Sequence, residues 1–140
     1  KKILNYSRTL EDYQKNLEHK FDQMFKILAD DAEKQNFRPL RKAIKYIKEN
    51  YDKQITAETL AEVVNLSPVY FSHLFKKQTG KNMTDYITEY RMEIAKKMLF
   101  DTDKTIFEIA VAVGFQDQRY FSKRFKQIVG KTPSEYRKLK

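Results

Sequence analysis

The chain has 140 residues, with 28 Lys and Arg against 19 Asp and Glu, a formal net charge of +9 and a mean hydropathy of −0.75. With no Cys, three Gly and only His19 and His73 as histidines, it holds no disulfide framework, no zinc or paired-histidine metal site and no Gly-rich phosphate loop, so no catalytic residue, metal or cofactor is expected and an enzyme is argued against. The opening KKILNYSRTL is too polar for a signal peptide, and no apolar run approaches the ~20 residues of a membrane span, so the expected location is cytoplasmic.

Nearly every segment reads as helix, since hairpin turns of the Asn-Gly or Asp-Gly kind are missing and strict alternation is scarce. Leu10, Gln14, Leu17, Phe21, Met24 and Leu28 recur at steps of 4, 3, 4, 3 and 4, with Thr9 and Asp12 placed to cap them. Within the segment 1–36 an amphipathic helix over 10–35 is therefore expected, either packed on a neighbouring domain or paired as a homodimer. Because the first residue is Lys1, a longer parent chain is expected.

Pro39 suits the first turn of a second helix, with Ala43, Ile44, Ile47 and Tyr51 as its apolar stripe. Thr56 opens a short helix to Val64. Ser67-Pro68 opens another that stops at Gly80. Asn82 with Asp85 starts a long helix ending near Phe100. Thr105 with Glu108 caps a helix to Val113, and Gly114-Phe115 makes a turn. Asp117 caps a helix that stops at Gly130, and Thr132-Pro133-Ser134-Glu135 starts a last short one.

The charge is uneven along this order. Residues 1–36 hold 7 basic and 7 acidic side chains and residues 37–140 hold 21 and 12, so the whole excess lies in the second part, the footprint of a polyanion partner. That part also repeats itself. Residues 70–86 shifted by 50 fall on 120–136 with 8 of 17 identical, among them Tyr70/Tyr120, Phe71/Phe121, Phe75/Phe125 and Gly80/Gly130. Leu60-Ala61 and Val64 match Ile109-Ala110 and Val113 at a shift of 49. A short helix, a tight turn and a longer helix thus occur twice, the plan of a helix-turn-helix. Gly114 offers a positive φ at the second turn, and Asn65 is the next most tolerant residue at the first.

Helical phase then sorts the faces. Phe71, Leu74, Phe75 and Gln78 share one side of the first longer helix, and Phe121, Phe125 and Ile128 are expected to point inward from the second. The outward sets are Val69, Ser72, His73 and Lys76, and Gln118, Arg119, Ser122, Lys123 and Lys126. Such side chains suit base edges and phosphates in double-stranded DNA. The helix over 82–100, about 28 Å long at 1.5 Å per residue, would space two such helices by close to the ~34 Å of one DNA turn.

The run Ala110-x3-Gly114-Phe115-x4-Tyr120-Phe121-x3-Phe125-Lys126-x3-Gly130-x-Thr132-Pro133-x2-Tyr136-Arg137 resembles the signature of the AraC/XylS family of bacterial transcription regulators, over about residues 38–140. The resemblance implies an all-α domain of about seven helices over 37–140, with two helix-turn-helix units joined by a long central helix. It implies sequence-specific DNA binding and transcription control, usually activation through contact with RNA polymerase. It places base reading on Val69, Ser72, His73 and Lys76 and on Gln118, Arg119, Ser122 and Lys123. It also implies an upstream sensory or receiver domain absent from this chain, with 1–36 as the helical linker leading from it. Asn65 departs from the Gly common in the family. Two rival readings make other demands on the outward faces. A nonspecific architectural or RNA-binding module would show Lys and Arg alone there, and a protein-interaction module would show acidic or apolar residues.

Overall fold

The computed structural model describes residues 37–140 together with Lys15, His19, Lys20 and Gln23. The chain divides between Arg38 and Pro39, and the second unit is Pro39–Lys140. The six positions of the expected seven-residue repeat lie outside the described residues; His19 is exposed.

Residues 37–140 form seven helices and no strand. They are α1 (37–50), α2 (Ala57–Val64), α3 (Pro68–Thr79), α4 (Met83–Asp101), α5 (Ile106–Ala112), α6 (Gln118–Val129) and α7 (Pro133–Arg137). From α2 onward each helix starts at a side chain that accepts an otherwise orphaned backbone N–H: Thr56, Ser67, Asn82, Thr105, Asp117 and Thr132. Helices α3 and α6 end on left-handed Gly80 and Gly130.

At α5 and α7 the cap is reciprocal. The backbone N–H of Thr105 donates to the Glu108 carboxylate at 2.9 Å while Glu108 N donates to Thr105 Oγ1 at 3.1 Å, and Thr132 with Glu135 repeats both distances. The backbone bonds hold both carboxyls below their ordinary value of 4.5. A lowered folded-state value means that the ionised form favours the fold. Its contribution is complete above the ordinary value and fades as pH falls through the lowered one. The melting temperature should therefore drop below about pH 4.5 less steeply in a Glu108→Gln/Glu135→Gln variant than in the unaltered chain. Parallel curves would show that these caps do not couple to pH.

Two cores hold the fold. Leu40, Ala43, Ile47, Leu60, Phe71, Phe75, Met83 and Ile87 form the first, and Met92, Ala95, Leu99, Ile109, Ala110, Val113, Phe115, Phe121 and Phe125 the second. Helix α4 belongs to both. Its buried positions step by 4, 5, 3 and 4 (Met83, Ile87, Met92, Ala95, Leu99). The step of five turns the buried face by about 140° at about 100° per residue, so each half of one helix serves a different core. The second half of α4 repeats the spacing of α1: Met92, Ala95 and Leu99 stand as Leu40, Ala43 and Ile47 do. Helix α4 thus closes the first core and scaffolds the second.

Ile128 departs from its expected inward position. It lies on the core side of α6 by phase but is 37% exposed. It sits in the last turn, over an open depression shared with Lys81, Asp85, Glu89 and Arg124 rather than over the second core.

Candidate nucleic-acid interface

The two helix-turn-helix units are built by the same backbone device. In the first turn Asn65 is left-handed at φ 62°, and Leu66 N donates to Ala61 O at 3.0 Å. In the second, Gly114 has φ 100°, and Phe115 N donates to Ala110 O at 2.9 Å. Both are six-to-one closures that satisfy the end of the shorter helix and redirect the chain into the longer one. Leu66 and Phe115 then tuck against the cores. Asn65 is the one non-glycine with positive φ among the described residues, so the local amide preference suffices where glycine is absent.

A second device recurs, a Tyr-Arg dipeptide that ties its own helix to the end of an earlier one: Tyr90-Arg91 on α4 and Tyr136-Arg137 on α7. The Arg91 guanidinium donates from Nε to Tyr51 O at 2.7 Å and from Nη2 to Lys53 O at 2.8 Å, just past α1. Arg137 donates to Leu99 O at 3.0 Å and Thr102 O at 3.3 Å, at the end of α4. Tyr90 meets the Tyr51 ring edge-on at 5.6 Å, and Tyr136 stacks on Phe100 at 4.9 Å. The rings of Phe75 and Tyr86, and of Phe125 and Tyr136, pair edge-on at 5.4 and 5.6 Å. Tyr136 alone therefore takes the roles that Tyr86 and Tyr90 divide in the first unit. Burial pushes the Arg91 guanidinium below its usual value, against the opposing pull of Asp52. The bonds to Tyr51 O and Lys53 O compensate that burial.

With Phe71, Phe75, Phe121 and Phe125 fully buried, the opposite faces of α3 and α6 are set. Val69, His73 and Lys76 are exposed on α3, and Gln118, Arg119, Lys123 and Lys126 on α6; Ser72 and Ser122 are half-buried at the margins. Ser72, His73 and Lys76 line an open groove of about 450 Å³ with Thr56 and Asn82, the cap residues of α2 and α4. Neither ion pair among the described residues, Lys81–Glu89 and Lys96–Glu93, uses a cation from these outward faces. No helix among the described residues is long and apolar enough to cross a membrane.

Two residue sets escaped the sequence reading. Arg91 and Arg137 gave a signal in the repeated Tyr-Arg pair, but it recurs at a shift of 46 rather than 50 and falls out of register with the main repeat. Phe107 and Val111, one turn apart on α5, are 56% and 51% exposed. The same places on α2 hold Glu58 and Glu62.

Two helix-turn-helix units on a shared scaffold helix, with polar and basic recognition faces, define a double helix-turn-helix DNA-binding domain. A family profile described as a helix-turn-helix domain matches residues 60–139. The "Bifunctional transcriptional activator/DNA repair enzyme AdaA" of Bacillus subtilis is 32% identical over 127 residues, covering 79% of this chain. The chain spans 60% of that protein's length. The C-terminal domain of AraT, a response regulator from Geobacillus stearothermophilus, is 38% identical with a TM-score of 0.71, covering 74% of this chain and 86% of that one. The DNA-binding domain of AdpA, a global transcriptional factor solved in complex with a target DNA, is 26% identical with a TM-score of 0.69, covering 72% and 91%. The chain belongs to the AraC-type family of DNA-binding transcription regulators.

Proposed function

We propose that the protein binds DNA sequence-specifically by inserting α3 and α6 into adjacent major grooves, and that it activates transcription. The observation that carries this is α4. Its 19 residues span about 28 Å, close to the ~34 Å turn of DNA, and its two halves are each built into the core that carries one recognition helix. The base-reading set is Val69, Ser72, His73 and Lys76 on α3, and Gln118, Arg119, Ser122 and Lys123 on α6. Lys126 adds charge toward the backbone. Arg119 and Lys123 pair with guanine, Gln118 with adenine, and Val69 meets a thymine methyl.

Activation is supported by the name of the AdaA relative, which includes transcriptional activator. It would run through RNA polymerase, with input from an upstream sensory or receiver domain and pairing through 10–35, in the cytoplasm of a bacterium. The test is selection from a random duplex pool, followed by affinity for the winner and for a shuffled duplex. A motif spanning two adjacent grooves with ~10³ or more discrimination is expected, whereas equal affinities with one steep salt slope would defeat the reading. Arg119→Ala and Lys123→Ala should each cost about 1–3 kcal/mol at the selected site and relax one or two base pairs; a uniform loss on all sequences would make them phosphate contacts.

A further inference from the structure

Tyr70 and Tyr120 occupy one position of the repeat, each directly before a fully buried Phe, yet they are 52% and 54% exposed. About half of each ring is left open at that place in both units. Tyr120 meets the Phe115 ring in a tilted pair at 6.0 Å. Helical phase gives the position a meaning. At about 100° per residue, the residue before each buried Phe points roughly a quarter turn to one side of the core direction, and the serine after it, Ser72 or Ser122, roughly a quarter turn to the other. Between them, away from the core, lies the sector of His73 and Lys76 or of Arg119 and Lys123. A helix seated in a major groove turns that sector, with the serine at its margin, to the base edges and the flank of Tyr70 or Tyr120 to a sugar-phosphate wall. A phenol O–H is a donor that phosphate oxygens accept. Exposed Lys77 shares the flank of Tyr70 two turns on and places a cation along the same wall.

We propose that Tyr70 and Tyr120 are a matched pair of DNA-backbone contacts, each donating its hydroxyl to a phosphodiester oxygen on the wall of the groove that its helix enters. The proposal rests on the two-groove reading above. It adds a binding role for two side chains that the base-reading set leaves out, and it explains why an exposed aromatic survives in both halves of a repeat in which fewer than half of the compared positions are identical.

The test uses Tyr70→Phe, Tyr120→Phe and the double variant, which remove one oxygen each and keep the rings. Affinity is measured across a salt series for a duplex recovered by selection and for a shuffled duplex of the same composition, and melting temperature is followed alongside. Each single variant should lose on the order of tenfold on both duplexes alike, and the double variant the product of the two. The slope of log affinity against log salt should stay unchanged, because a neutral donor releases no counterion. Melting temperatures should not move. Unaltered affinity on both duplexes, or a loss confined to the selected one, would overturn the proposal while leaving DNA binding intact. Failure of the unaltered protein to bind either duplex would overturn the DNA reading and this proposal together.

Discussion

Gly114→Ala should destabilise the protein by about 3 kcal/mol, more than alanine at either of the other glycines. The φ of 100° at Gly114 costs any L side chain roughly 1–2 kcal/mol. A Cβ there would also stand 2.8 Å from Tyr51 O and 3.0 Å from Arg91 Cζ. Neither neighbour can withdraw freely, because the two are joined by the 2.7 Å bond from Arg91 Nε to Tyr51 O. Relieving the overlap means lengthening that bond or shifting the turn, a further penalty of roughly 1–2 kcal/mol. Gly130 has a similar φ of 93° but nothing within 4 Å of its would-be Cβ, so Gly130→Ala isolates the conformational part, roughly 1–2 kcal/mol. Urea denaturation of the two variants makes the comparison. Equal losses would mean that the space under Gly114 does not matter.

Asn65 at the matching turn shows why the two halves differ in sequence. Its left-handed φ is close to that of an ordinary asparagine turn. The Tyr51–Arg91 joint lies under the second turn, so only Gly114 has to leave room for it. The departure from the family's usual glycine is therefore a relaxed constraint rather than a damaged turn. Asn65→Gly is accordingly a substitution that should leave the six-to-one closure in place.

Short-range features were legible because their causes are short-range. The residue that accepts the first N–H of a helix lies two or three positions from the donor, so the starts at Thr56, Ser67, Asn82, Thr105, Asp117 and Thr132 could be read directly, as could the stops at Gly80 and Gly130. The outward faces of α3 and α6 followed from helical phase once the buried Phe pairs were identified. Phase alone fails where the question is what stands opposite a residue. Ile128 has the phase of a core residue but lies beyond the reach of the second core. Arg91 looks like one more cation on an amphipathic helix, and its partners are carbonyls 38 and 40 positions away. Backbone acceptors carry no residue-type signal, so nothing in the side-chain pattern marks Tyr51 O or Lys53 O as a target. The dual membership of α4 was visible only in the single step of five between Ile87 and Met92, which reads as a lapse in amphipathicity until two cores are there to explain it.

Arg91→Ala should remove about 3 kcal/mol of stability and, separately, loosen the coupling between the two recognition helices. The first effect follows from leaving two carbonyls without the charged donor that satisfies them, and from losing the guanidinium 5.6 Å over the Phe115 ring. The second follows from where those partners sit. Tyr51 and Lys53 end the scaffold of the first unit, and Phe115 lies in the turn of the second. Arg91 itself falls between Ile87 in one core and Met92 in the other. It is a joint between the two units, beside Tyr51, which also packs against the second core, while neither core contains Arg91 itself. Both cores should therefore persist in the variant, with their relative orientation less restricted. On the two-groove reading, a looser pair must be ordered upon binding, so affinity for a duplex carrying both half-sites should fall by about tenfold or more. Affinity for a duplex carrying only one half-site should stay near that of the unaltered protein. A duplex lengthened by one base pair between the half-sites should discriminate less between variant and parent than the natural spacing does. Arg91→Lys should not restore the coupling, because a single ammonium cannot bridge Tyr51 O and Lys53 O as the two guanidinium nitrogens do. Equal losses on the full and half-site duplexes would instead assign Arg91 to general stability and leave the register of the two units to the continuity of α4.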